Sequence, residues 1–248
     1  MARYDTAGEI VNSAAVEVGL TAASDPFTST DTAFIQLRGL LTNAGRELLG
    51  LYQWNRFVKV HSITTAVPPD DGNYDLPDDF SSMIDQSGWT PTNAGLGLPL
   101  GGPLTEQDWA YLVNTNLASS TIYVSFKISQ GQFQVLPQPP PDGIDVVFSY
   151  MSRWWVAETG APTVAVKDKV EASDDVVLFE PILITKFLKL RFLEAKGFDT
   201  TAAVQQFQSV FMQWTGKDVS APVLNAARMR LFPYLGWRNI PETNYGLP

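Results

Sequence analysis

Cysteine is missing altogether from these 248 residues. That excludes disulfides, thiolate nucleophiles and zinc–thiolate sites. Histidine occurs once, as His61, so a site needing two imidazoles is ruled out. Basic residues are also few: 17 Lys and Arg stand against 26 Asp and Glu, a net charge of −9 with a pI near 4.6. A protein that grips a phosphate backbone normally carries a basic face. An acidic surface instead repels nucleic acid, which suits a passage more than a clamp. No apolar run approaches the roughly 18 residues a membrane helix requires. The opening "MARYDTAGEIVNS" lacks the apolar stretch of a signal peptide, so a soluble protein is expected.

What is present is an ordinary globular balance, 45% hydrophobic and 17% charged. The first part reads as helical. Thr6 and Glu9 have capping-box spacing, Ile10, Ala14 and Val18 recur on one face, and Gly19 is a stop. A second helix starts near residues 29–31, with Phe34, Leu37, Leu41, Ala44, Leu48, Leu51 and Tyr52 as its apolar positions. Gly39, Gly45 and Gly50 weaken it by about 1 kcal/mol each relative to Ala, and either local weakness or close packing of another backbone accounts for them.

From about Trp54 the pattern turns to β-branched, partly alternating runs. These are "FVKVHSITTAV" (57–67), "TIYVSFKIS" (121–129), "GQFQVLP" and "GIDVVFSYMSRWWV" (143–156), broken by "PPDDGNY" and "PQPPPDG". A short helix capped by Thr105 sits among them at 104–114. Helical pattern returns over 174–196, acidic first and basic last, with Pro181 near its first turn or marking a later start, and Gly197 as its end. A last helix, capped by Asp199, Thr200 or Thr201, aligns Ala203, Phe207, Val210, Phe211 and Trp214 and ends at Gly216.

The expected fold is therefore α+β. A helical bundle is formed by N-terminal helices (1–53) and C-terminal helices (173–217) around a β-rich, antiparallel sandwich- or barrel-like insertion (54–172), followed by an extended tail (218–248). That tail ends "RLFPYLGWRNIPETNYGLP". Its prolines forbid a helix or a central strand, yet Phe232, Tyr234, Trp237 and Tyr245 make it too aromatic for a solvated segment.

Catalytic signatures are sparse. Asp70, Asp71, Asp75, Asp78, Asp79, Asp85, Glu106 and Asp108 crowd the β region, and a glycosidase needs two carboxylates across a cleft. Asp70, Asp71 and Asp78 sit beside Pro or Gly, where Asp builds turns. "DDGNYD" (70–75) lacks the EF-hand spacing for calcium, and "GLGLPLGG" (95–102) lacks the lysine of a phosphate loop. No catalytic residue, metal or cofactor is assigned. Lys186, Lys189 and Lys196 fall within about a quarter turn on one helix, either a solvated stripe or a charge set for an acidic partner surface on a neighbouring subunit.

The strings "YDLPDDFSSMIDQSGW" (74–89), "GPLTEQDWAYL" (102–112), "GQFQVLPQPPPDGIDVVFSYMSRWWV" (131–156), "LKLRFLEAKGFD" (188–199) and "WRNIPETNYG" (237–246) occur in that order. Together they resemble the head-to-tail adaptor (head-completion) proteins of tailed, particularly short-tailed, bacteriophages, over roughly residues 5–246. The resemblance implies a non-enzymatic virion protein at the head–tail junction. It implies a ring, usually dodecameric, that binds under the portal, extends the DNA channel without specific DNA binding, and carries a downstream tail or nozzle protein. In such proteins the C-terminal segment docks on the portal; carried over, that makes Phe232, Tyr234, Trp237 and Tyr245 the anchors, and the loops at 70–73 and 92–102 the tail-side surface. Two other classes stay open on the residues alone: a peptidoglycan hydrolase using the carboxylates, and a carbohydrate-binding β-domain of a tail protein.

Overall fold

The computed structural model describes residues 3–66, 71–90, 98–115, 124–140 and 142–218. The tail anchors Phe232, Tyr234, Trp237 and Tyr245, the loop residues Asp70 and 92–97, and the start of the run at 121–123 lie outside them.

Helix α1 (Ala7–Glu17) begins at the expected capping box. Thr6 Oγ1 accepts from Glu9 N at 3.3 Å while the Glu9 carboxylate accepts from Thr6 N at 2.8 Å. Such a cap is worth about 1 kcal/mol. Helix α2 (Thr32–Leu51) is capped by Asp31 and buries Phe34, Leu37, Leu41, Ala44 and Leu48, leaving Leu51 on the surface.

The three glycines of α2 are not equivalent. A Cβ at Gly39 or Gly50 would meet nothing within 4 Å, but one at Gly45 would lie 2.3 Å from the indole of Trp155. The close approach at Gly45 is thus to a side chain from the far end of the β region, not to another backbone.

The β region contains two antiparallel sheets. In the first, β8 (Asp145–Ser152) pairs with every residue of β1 (Val58–Thr64), His61 opposite Phe148. It also pairs with β3 (Phe80–Met83) and β4 (Trp89–Thr90), and β4 with β5 (Leu98–Pro99). In the second, β7 (Gln132–Leu136) lies between β2 (Asn73–Asp75) and β6 (Ser125–Ser129). Alternate residues Val146, Phe148 and Tyr150 of β8 point inward, as the period of two demands.

Phe126, Phe133 and Phe148 stack at 5.0 and 4.9 Å between centroids, so the ring column crosses from one sheet to the other. Backbone bonds from Gly101 N to Val124 O (2.9 Å) and Phe126 N to Gly101 O (3.0 Å) add a second link. Helix α3 (Glu106–Asn114), capped by Thr105, buries none of its residues.

Beyond β8 the chain returns to the bundle. Residues 174–180 are not helical, so of the two placements of Pro181 the structure has the later start. Val176–Val177 form β10, paired with β9 (Val156–Ala157), and α4 (Pro181–Lys196) starts at the proline itself. The physical reason is the proline ring, which drives the preceding residue out of the α region; Glu180 is extended at ψ 127°. Gly197 ends α4 in the left-handed conformation, φ 72°. The last helix, α5 (Thr201–Asp218), runs through Gly216 rather than stopping there. Its end is tethered instead at Asp218, whose carboxylate accepts from Asn55 N (2.9 Å) and whose carbonyl accepts from Asn55 Nδ2 (2.7 Å).

One core joins α1, α2, α4 and α5, and it also takes Trp54, Phe57, Trp155, Val156 and Ala165. The start of α1 and the segment before α4 are stitched by backbone as well: Ala7 N donates to Asp175 O (2.8 Å) and Gly8 N to Ser173 O (2.9 Å). Helix N-terminal donors need such acceptors.

The Gly45 notch yields opposite expectations at three sites. Gly45→Ala should destabilise the protein by about 1–3 kcal/mol through overpacking against Trp155. Gly39→Ala and Gly50→Ala should each stabilise it by up to about 1 kcal/mol. Urea denaturation of the three variants measures this; a stable Gly45→Ala would refute the tight contact.

Candidate functional site

Two polar constellations and one cavity stand out among the described residues. The first constellation centres on Asp79, at the start of β3, which the turn reading of the acidic cluster did not distinguish. Its side chain is 6% exposed and accepts from Lys59 Nζ (2.6 Å), Ser152 Oγ (2.6 Å) and Tyr150 Oη (2.8 Å). Its own backbone carbonyl accepts from Arg153 N at 2.7 Å.

Burial disfavours the charge on Asp79, but the donors from Lys59, Ser152 and Tyr150 outweigh it and hold its pKa below the ordinary carboxylate value. Burial together with the bond to Asp79 pushes the Tyr150 hydroxyl well above its usual pKa. A carboxylate saturated by three donors is a structural hub rather than a general base. Lys59 also lies 5.3 Å over the Trp154 ring, so the hub reaches the segment that leads into the bundle. Sequence signals for it were weak: Tyr150 and Ser152 share a strand face, but nothing local names their partner.

Four other carboxylates of the cluster have separate partners. Asp71 accepts from Asn73 N (3.1 Å), Asp75 from Gln132 Nε2 (3.4 Å), Asp108 from Thr105 Oγ1 (2.7 Å), and Glu106 pairs with Lys127 (2.9 Å). His61 lies edge-on to Phe148 at 5.5 Å, and burial lowers its pKa against the pull of Asp79.

The second constellation contains the lysine stripe. Lys186 Nζ contacts Glu17 Oε1 at 2.7 Å and Lys189 Nζ contacts Glu17 Oε2 at 3.3 Å, so both are turned to α1 of their own chain. Burial raises the Glu17 pKa, but the two lysines overcome it and the net shift is downward. Lys196 lies apart from them, 5.3 Å over the Phe192 ring. Arg191, on the same helix, bridges Glu47 of α2 and Glu194.

The cavity, of about 190 Å³, opens where α5 ends. Its walls include the rings of Tyr4, Trp54, Phe57, Phe179 and Trp214, and Arg3, Arg56, Lys217 and Asp218 line it too. Trp54 and Phe179 meet edge to face at 5.9 Å, and Trp54 Nε1 is satisfied by Leu48 O at 2.8 Å. The Arg56 guanidinium covers the Tyr4 ring at 4.3 Å, and Lys217 covers Trp214 at 4.0 Å. Two buried donors, Tyr4 Oη and Trp214 Nε1, have no hydrogen-bond partner among the described residues.

No group of three or more His, Asp or Glu side chains among the described residues is placed to hold a metal ion. None of their helices is long and apolar enough to cross a membrane. The arrangement offers a braced bundle, a β unit tied to it through Asp79 and Trp155, and an aromatic recess at the end of α5.

A family model of the SU10 adaptor protein matches residues 5–219. The chain belongs to the SU10 adaptor protein family. The match spans the whole bundle and the β region between its halves, and stops one residue past the end of α5. Membership makes the protein a bacteriophage adaptor, a structural component of the virion that works with other head and tail proteins. None of the curated proteins matches this chain.

The Asp79 hub predicts a pH-linked stability term. Asp79→Asn should cost about 2–3 kcal/mol at pH 7, by weakening three hydrogen bonds to a buried charge. Because the folded-state pKa is depressed, that stabilisation is complete above the unfolded value of about 3.9 and is lost as pH falls through the lower folded value. Denaturation curves at pH 7 and pH 3 should show the two proteins converging in acid. An equal gap at both pH values would mean that the ionised form is not what stabilises.

Proposed function

We propose that this adaptor forms the ring that joins the portal to the tail and extends the DNA channel at the head–tail junction. The observation that carries the reading is the extent of the family match: it covers residues 5–219 and leaves the aromatic, proline-containing tail beyond it. A segment with four aromatics and three prolines near its end gains stability by burying those rings on another surface. The prolines lower the ordering cost of an extended peptide.

In this reading Phe232, Tyr234, Trp237 and Tyr245 anchor the subunit on the portal. Lys196 is the member of the lysine stripe assigned to a partner, since Lys186 and Lys189 already bind Glu17. The loops at 70–73 and 92–102 face the downstream tail or nozzle protein. A net charge of −9 suits a lumen along which DNA slides without being held. A dodecamer is the expected ring.

Native mass of the protein mixed with the portal from the same genome tests this directly. The expected complex gains one adaptor copy per portal subunit. A variant ending at Asp218, which keeps the Asn55 tether of α5, should lose portal binding while retaining its cooperative unfolding. Undiminished portal binding by that variant would sink the tail-docking assignment.

A further inference from the structure

Of the bundle helices α5 is the least covered. Ala203 is its one buried residue, while Val204, Phe207, Val210, Phe211 and Trp214 pack against the core only in part. The opposite side is exposed and carries Gln205, Gln208, Ser209, Met212 and Gly216. From Thr201 to Gly216 the helix contains no charged residue at all. The outer face of a surface helix ordinarily carries charge. Loss of charge around an exposed methionine is instead the composition of an interface core. Met212, 70% exposed, stands in the middle of this face.

Helix α2 presents a second face of the same kind. Ile35, Gly39 and Asn43, at i, i+4 and i+8, are all exposed, and a Cβ at Gly39 would meet nothing within 4 Å. The charges bordering this row are spent inside the subunit: Arg38 on the Phe27 carbonyl, Arg46 on Asp168 and Glu47 on Arg191. Helix α4 packs against both α2 and α5. A groove over α4, walled by Glu47 and Leu51 on one side and by Val204, Phe207 and Gln208 on the other, keeps them apart. Each neutral face lies opposite the buried side of its own helix, so the two look out from different flanks of the bundle.

We infer that the α5 face of one subunit seats on the α2 face of a second copy, with Met212 over Gly39. The inference rests on the ring reading, for which it names the contact between neighbours. Two unlike faces make a head-to-tail contact, the kind that can close into a ring. Charge selects the occupant. Copies of a chain with net charge −9 repel one another, so they meet closely only where neither brings an unpaired charge. These two faces satisfy that condition. A strongly charged partner would need the opposite charge on α5, and nucleic acid would need cations there. The lengths match as well: the 18 residues of α5 span about 27 Å and the 20 residues of α2 about 30 Å. Gly39 allows close approach, and the amides of both faces can pair with each other.

Because the chain has no cysteine, Gly39→Cys and Met212→Cys each place a single thiol on one face. The two variants, one of them isotope-labelled, are mixed and treated with a short bis-maleimide, both alone and with the portal from the same genome. The expected product is a dimer containing one chain of each, and the doubly substituted chain should give a ladder of larger covalent oligomers. Val60→Cys, at an exposed position on β1, should replace neither partner. No mixed dimer under either condition overturns the inference. So does Met212→Cys that couples to itself as readily as to Gly39→Cys, which would assign the face to a two-fold pair. A portal complex of the expected mass without the cross-link refutes this contact and leaves the ring reading standing; the ladder without a portal complex does the reverse.

Met212→Glu supplies a second readout. At an exposed site it should leave the unfolding midpoint of the dilute protein unchanged. Association between copies, free or on the portal, should weaken by at least about ten-fold, because the new charge is buried unpaired. Met212→Leu should associate as the unaltered chain does. Undiminished association of Met212→Glu overturns the inference.

Discussion

The seating of Trp155 is the constraint on which the rest of this subunit depends. Its side chain is fully buried and its indole lies against Gly45, where even a methyl group would collide. Its Nε1 donates to Asp168 O (2.9 Å), its backbone N donates to Lys167 O (3.0 Å), and its carbonyl accepts from Leu178 N (3.1 Å). One residue therefore fixes α2, the loop at 167–168 and the approach to α4 relative to each other. It follows the longest strand of the β region by only three positions, so the orientation of that region is set at the same point. Burying an aromatic of this size is worth a few kcal/mol, a large share of the marginal stability of a domain.

Asp79 secures the other side of the same joint. It draws together β1 through Lys59 and β8 through Tyr150 and Ser152, and Ser152 Oγ in turn accepts from Trp154 N at 3.1 Å. The two devices are complementary in kind: Trp155 acts through shape and Asp79 through directed hydrogen bonds to a charge. The cations of α4 add to this bracing, since Lys186, Lys189 and Arg191 bind carboxylates of α1 and α2.

Seen this way, the useful surfaces are those that the internal bracing leaves over. Helix α3 stands on the β unit with none of its residues buried, held through Thr105 and the Lys127–Glu106 pair. The aromatic recess opens at the end of α5.

Local chemistry was legible in the sequence alone. The caps at Thr6 and Thr105, the start of α2 near residues 29–31, the stop at Gly197, the apolar faces of α2 and α5 and the alternation in β1, β7 and β8 depend on spacings of two to four residues, and the structure has them. The missing cysteines and the single histidine bounded the chemistry without any fold. Tertiary structure decided what depends on distant residues. It selected Gly45 from three similar glycines because Trp155 arrives there, and Asp79 from eight carboxylates because Tyr150, 71 positions away, meets it. It turned Lys186 toward Glu17 across 169 positions, and it chose the later of the two starts for α4, with Val176 and Val177 before it paired to β9. A periodic pattern records which face of an element is buried; only the packed chain records what that face is buried against.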